Sequence, residues 1–133
     1  MDWKSLLLDS RIVSAFYLTS PSLDAVEIFD IFVGRRGGDV TIRFDTRDFP
    51  DKVPPKWLAG KFNKAQIVIN LVSVTDFSLS GVLTTAPSDI TIERLGGGIF
   101  VCIDSTTYSM RAQAEFIRVE SISGYQALDD NDS

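Results

Sequence analysis

The sequence contains no histidine, the side chain most often used as a general base and as a metal ligand. Its absence excludes every nucleophile pair of the Ser-His or Cys-His type. A lone cysteine without histidine also leaves too few nitrogen and sulfur ligands for a structural zinc site. The carboxylates that remain show no spacing that indicates a substrate cleft. We therefore expect a protein that is not an enzyme, holds no metal and needs no cofactor.

Disulfide partners and long apolar runs are missing as well. Cys102 is the single cysteine, so no disulfide can form within the chain, and we expect a reducing compartment, the cytoplasm. No window reaches the roughly 18 uninterrupted apolar residues that a membrane span requires. The opening residues MDWKSLLLDSR lack the basic start and the long apolar core of a secretory signal. We therefore expect neither a membrane partner nor export.

Basic residues are outnumbered, with 13 Lys and Arg against 18 Asp and Glu and a net charge of −5. Nucleic-acid binding needs an excess of Lys and Arg for phosphate contacts, so we expect no nucleic-acid partner. An acidic surface suits a basic protein partner, because complementary fields speed encounter. The same acidity also serves solubility alone, and both interpretations stay open.

The 133 residues suit one domain, predicted over residues 1–126, followed by an acidic, disordered tail over residues 127–133. Apolar residues recur at helical spacing from Trp3 to Tyr17, which predicts an N-terminal helical segment. Beyond residue 24 they alternate, and this predicts strands over 25–34, 38–45, 65–74, 88–95, 99–104 and 107–122. GRRGGD (34–39) predicts a turn, and Arg35 and Arg36 at its tip are a solvated pair or an anion contact.

No strand-helix-strand alternation occurs, which argues against a parallel sheet. The prediction is an α+β domain that is mainly antiparallel β, with about six or seven strands in a sheet or sandwich. In the last strand the apolar residues change phase beside Phe116, which predicts a bulge or bend there.

DFPDKVPPKW (48–57), named here the proline strap, holds three of the five prolines and one of the two tryptophans. One interpretation is a rigid crossover between strands that lays Trp57 onto the core or the sheet edge, because prolines reduce the entropy lost on ordering a loop. The other is a preformed, charged rim for a partner protein. Its candidate partner-binding residues, with one from the preceding strand, are Asp45, Asp48, Asp51 and Lys56.

Several stretches together resemble the immunity protein 50 family of bacterial polymorphic toxin systems. They are Trp3, PSLDAVEI (21–28), IRFD (42–45), PPKW (54–57), Asn63 and Tyr125, and they span nearly the whole chain. The resemblance implies a non-catalytic immunity protein that binds and neutralises a cognate toxin made by the same or a sister cell. If that toxin is basic, Asp45, Asp48 and Asp51 are candidate steering charges. The alternative from the strand pattern is a structural or oligomeric β-rich assembly module that pairs through a sheet edge.

Overall fold

A computed structural model describes residues 2–34 and 38–128 of the chain. The predicted basic tip at Arg35 and Arg36 and residues 129–133 of the predicted acidic tail lie outside the described residues. Ala127, where the tail was predicted to begin, exchanges two hydrogen bonds with the Asn63 side chain at 2.8 and 2.9 Å. These bonds attach residue 127 to the residue that precedes the long strand starting at Lys64.

The alternating stretches form one antiparallel sheet of six strands in the order β1-β2-β3-β6-β5-β4. This confirms the predicted fold class, a mainly antiparallel β domain with a smaller helical part. The strands are β1 (Glu27–Val33), β2 (Val40–Thr46), β3 (Lys64–Gly81), β4 (Ser88–Leu95), β5 (Gly98–Ser105) and β6 (Tyr108–Tyr125).

The two longest strands, β3 and β6, have 18 residues each and pair along their full length. β2 borders the first half of β3, and β5 borders the first half of β6. The sheet therefore has two wings, β1-β2 and β5-β4, on opposite sides of a shared central pair. At one corner the wings meet, because Val26 and Ser88 exchange backbone hydrogen bonds of 2.8 and 2.9 Å. The sheet thus curls, and its inner face can enclose a core.

The inner face carries the alternating apolar residues of every strand. In the β1-β2 wing, Phe44 of β2 pairs with Ile67 of β3, which pairs with Ile122 of β6, and all three are buried. In the other wing, Ile103 of β5 pairs with Met110 of β6, and both are buried. Burial of one face fixes the register, since a slip by one residue would expose the whole set.

The predicted N-terminal helical segment consists of two short pieces. A 3₁₀ turn spans Trp3–Leu6 and helix α1 spans Arg11–Phe16. The Trp3 indole N–H donates to the carbonyl of Pro21 at 2.9 Å, and Leu8 N–H donates to the carbonyl of Ile117 on β6 at 3.0 Å. Helices this short are marginal alone, so packing against the sheet stabilises them.

The change of phase in β6 is present, and β6 has a bulge beyond Phe116, at Glu120. β6 is continuous, with Ala114 and Ile117 buried and Phe116 exposed between them. The register shifts between Val68 and Ile69 of β3, where the extra residue is on β6. It shifts again between Val74 and Asp76, where the extra residue is on β3. An extra residue on either strand of a pair changes which side chains face the core.

The proline strap acts as the predicted rigid crossover. It contains the start of helix α2 (Pro55–Ala59), with proline at the first helical position, where no N–H is needed. Trp57 is buried, and its ring centroid lies 5.1 Å from that of Phe16 and 6.2 Å from that of Phe62. Such aromatic contacts stabilise beyond the area they bury. The strap therefore closes the core at the end where α1 lies.

Candidate functional site

The strap carboxylates are engaged with the N-terminal segment. Asp48 Oδ2 accepts from Ser22 N–H at 2.7 Å, and Asp51 Oδ2 accepts from Leu18 N–H at 2.9 Å. Both aspartates remain exposed, as does Lys56 on α2. These bonds fasten the strap, and the exposed oxygen atoms leave Asp48 and Asp51 accessible to a partner.

Asp45 lies in a different environment from the strap aspartates. It is the sixth residue of β2 and is only 4% exposed, so its carboxylate is not a surface charge. One oxygen accepts a hydrogen bond from the Tyr125 hydroxyl, and the other accepts from Gln66 Nε2 at 3.4 Å. The structure therefore separates Asp45 from the strap residues Asp48, Asp51 and Lys56.

Asp45 belongs to the outward side of the β1-β2 wing, which we name the open face. The open face consists of the outward side chains of β1, β2, the first half of β3 and the second half of β6. The register aligns them in rows across the strands. These rows are Glu27-Asp45-Gln66-Ser123, then Asp30-Arg43-Val68-Ser121, then Phe32-Thr41-Asn70-Arg118, and finally Val72-Phe116.

Large apolar side chains on the open face remain accessible to solvent. Phe32 is 65% exposed, Phe116 is 44% exposed and Phe29, at the irregularity in β1, is 39% exposed. Scattered exposed apolar residues are normal, whereas a contiguous apolar patch is typical of an interaction surface. The half-buried Val72 extends this group beside Phe116.

The polar side chains between these aromatic residues are held in place by hydrogen bonds. Arg43 donates to Asp30 Oδ2 at 2.6 Å, and its guanidinium carbon lies 6.0 Å from the centroid of the Phe29 ring. Asn70, only 2% exposed, donates to Thr41 Oγ1 at 3.1 Å and accepts from Arg118 Nε at 3.2 Å. Arginine side chains ordered in this way lose little further entropy on binding.

One end of the open face is acidic. We name the row Glu27-Asp45-Gln66-Ser123 the acidic row. Burial raises the pKa of Tyr125 above its usual range, and the hydrogen bond to Asp45 and the negative charges of Asp45 and Glu27 raise it further. A groove of about 560 Å³ runs past Glu27, Lys64 and Tyr125. The ion pairs of the described residues include neither Glu27 nor Asp45 nor Lys64.

The β5-β4 wing contains the single cysteine of the chain, Cys102. Cys102 is half-buried on β5, and desolvation raises the pKa of its thiol, an effect larger than the lowering by Arg111. A thiol with a raised pKa is a poor nucleophile. Catalytic use of Cys102 has no support in this geometry.

The open face is not among the partner-binding residues predicted from the sequence, which are charged residues in and beside the proline strap. The available signal was the two-sided apolar pattern of β1, where Ile28 faces the core and Phe29 and Phe32 face solvent. A half-buried strand normally alternates apolar and polar residues. Apolar residues on both faces of an edge strand therefore indicate a second contact surface.

A family model described as Immunity protein 50 matches residues 9–125, which is most of the chain. No curated protein and no solved structure matches the chain. Among residues 2–34 and 38–128, no helix has both the length and the apolar character needed to cross a membrane.

Proposed function

Because the chain belongs to the immunity protein 50 family, we propose that it is a non-catalytic immunity protein that binds and neutralises a cognate bacterial toxin. The toxin would be made by the same or a sister cell, and the two proteins would meet in the cytoplasm. The observation that carries the proposal is the family match over residues 9–125. The accessible aromatic side chains on a rigid sheet support it, since tight protein binding depends on a few such anchors.

Neutralisation requires only binding. An inhibitor that covers the active site of a toxin, or the approach to it, needs a surface that is already ordered before contact. In this chain the sheet fixes the backbone, and hydrogen bonds fix Arg43 and Arg118. The chain has no histidine to serve as a general base, and binding alone accounts for the proposed activity without a cofactor.

The residues predicted from sequence as partner contacts keep a place in the proposal. Asp48, Asp51 and Lys56 are exposed and can steer or contact a toxin directly. Asp45 is buried, so we propose that it acts by orienting the Tyr125 hydroxyl.

An assembly module that pairs through a sheet edge is the second candidate. The observation in its favour is that residues 76–81 of β3 pair with β6, while β2 ends its pairing at residue 71 of β3. A sheet edge without a partner strand is a template for pairing with another chain. Measurement of the molar mass at micromolar concentration separates the two candidates, since the proposed immunity protein needs no self-association.

The decisive experiment expresses the toxic C-terminal domain of the neighbouring gene's product in bacteria, with and without this chain. We expect growth arrest by that domain alone and recovery when this chain is co-expressed. A neighbouring product that is harmless alone, or whose toxicity this chain leaves unrelieved, would refute the proposal. Co-purification of the two proteins as a stoichiometric complex then distinguishes direct binding from an indirect rescue.

A further inference from the structure

The open face carries charges and apolar side chains in a definite arrangement from one end to the other. The apolar end has Phe32, Val72 and Phe116, which the register places in the last two rows. The opposite end is the acidic row, where Glu27 of β1 lies opposite Asp45 of β2 in the strand register. Between them, Arg43 and Arg118 each lie beside a carboxylate, at 2.6 and 3.5 Å respectively. The middle of the face is therefore close to charge-neutral, and the two ends differ.

Exposed aromatic residues next to ordered arginines have the composition of binding hot spots. Trp, Tyr and Arg dominate the energetics of protein interfaces, with the large apolar side chains packed in desolvated pockets. Phe32 and Phe116 would lose water on contact, while the arginines already have their hydrogen-bond partners. Contact with a flat apolar patch would thus leave no charge of this region unpaired.

The acidic row indicates which kind of side chain the partner should carry beside its apolar patch. Glu27 and Asp45 are the two carboxylates of this row, and the neighbouring groove that they line is also lined by Lys64 and Arg47. Tyr125 and Gln66 donate hydrogen bonds to the two carboxylate oxygens of Asp45. An arginine or lysine entering the groove of about 560 Å³ would meet the Glu27 carboxylate and the Tyr125 side chain, whose hydroxyl bonds to Asp45.

We propose that the open face, and not the proline strap, is the main docking surface for the toxin, and that it fits an apolar patch bordered by a basic side chain. Phe32 and Phe116 are the apolar anchors, and Glu27 receives the basic side chain. This inference rests on the proposed function. The strap residues Asp48 and Asp51 then serve mainly to hold the strap against the N-terminal segment.

The first test measures the affinity of the purified toxin domain, encoded beside this chain, for two variants of the open face. Phe32→Ser and Phe116→Ser are each expected to raise the dissociation constant at least about tenfold. The matched control is Leu95→Ser, since Leu95 is an exposed apolar residue on β4 of the other wing. It should change the constant by less than about twofold. Circular dichroism verifies that all three variants fold.

The second test addresses the charge of the acidic row. Glu27→Gln should raise the dissociation constant about three- to tenfold at low salt, and the difference should shrink at high salt because salt screens the pairing. Its control, Glu93→Gln, removes the same charge from an exposed position on β4. An equal loss for both variants would show a general field effect and overturn the role of Glu27.

Three outcomes separate the inference from the proposed function. Unchanged affinity in the open-face variants, with lost affinity in Asp51→Asn or Lys56→Glu, would overturn the inference and leave the proposed function standing. A wild-type dimer that Phe32→Ser dissociates, without any loss of toxin affinity, would assign the face to a second copy of the chain. A wild-type chain that neither binds nor neutralises the toxin domain would refute both.

Discussion

Gly124 on the last strand lies directly against the ring of Trp57 from the proline strap. A Cβ atom placed on residue 124 would fall 2.7 Å from a carbon of the Trp57 ring and 2.8 Å from a carbon of the Phe62 ring. Real side chains do not approach this closely, because interiors are packed at the density of organic crystals. Because residue 124 has no side chain, the rings of Trp57 and Phe62 can pack directly against the backbone of β6.

Replacement of this glycine is the first prediction. Gly124→Ala should lower the free energy of unfolding by about 1–3 kcal/mol, because an added methyl group overpacks the aromatic cluster. Urea denaturation followed by tryptophan fluorescence measures the change. Gly97→Ala is the matched control, since a Cβ there meets nothing within 4 Å. A loss at residue 97 equal to that at residue 124 would contradict the packing argument.

The second prediction concerns the strap tryptophan. Trp57→Ala should cost about 3–5 kcal/mol of unfolding free energy, because it removes a large buried ring and leaves a cavity beside Phe16 and Phe62. The next residue provides the control, since Leu58 on the same helix is exposed. Leu58→Ala should change stability by no more than about 0.5 kcal/mol. Chemical denaturation of both variants gives the comparison, and a small cost at Trp57 would mean that the strap does not close the core.

The third prediction is a loss of stability in alkaline solution. Burial raises the pKa of each of the three tyrosines, Tyr17, Tyr108 and Tyr125. The folded chain therefore keeps phenol protons that the unfolded chain releases above about pH 10. The stabilisation is fully present below that pH and is lost as the pH rises towards the higher folded pKa values. The free energy of unfolding should fall steeply across this range.

Denaturation midpoints at a series of alkaline pH values test this loss, together with tyrosinate absorbance of the folded chain. Tyr17→Phe should make the fall less steep, because burial and the nearby charges of Asp48 and Asp51 raise the pKa of Tyr17. Tyrosines that titrate near pH 10 while the chain is still folded would contradict the prediction.

The strands were predictable where local sequence and burial agree. Val40, Ile42 and Phe44 alternate with polar residues, and β2 has this alternation because one of its faces is core and the other is the open face. The second half of β3 was not predicted, since TDFSLSG (75–81) mixes strand-favouring Thr75 and Phe77 with Asp76 and Gly81, which are of types depleted in strands. Its pairing with β6 overrides that propensity, and long-range pairing of this kind is not visible in a local pattern.

The position of the candidate site was not predictable from the sequence. The lack of histidine could be seen from composition, and the PPKW stretch indicated the family. The position of Asp45 could not, because its burial depends on Gln66 and Tyr125, which reach it from distant strands. The sequence therefore predicts a surface charge at the end of this strand, whereas cross-strand neighbours enclose the carboxylate.

The pair of Asp45 and Tyr125 gives the last prediction. Tyr125→Phe should lower the free energy of unfolding by about 1–3 kcal/mol, because a buried carboxylate then loses a hydrogen-bond donor. Asp45→Asn should lose part of the same stabilisation, since an amide oxygen accepts more weakly than a carboxylate. If the two side chains act together, the double variant should be less destabilised than the sum of the single variants by about 0.5–3 kcal/mol.

Urea denaturation of the four proteins of this cycle measures the coupling. A pair without contact provides the control: Asp104→Asn combined with Tyr125→Phe should be additive within about 0.5 kcal/mol, because Asp104 lies on β5 and bonds to Arg111. Additivity of Asp45→Asn and Tyr125→Phe would mean that the hydrogen bond contributes nothing. In that case Asp45 could not be the residue that orients Tyr125 at the acidic row.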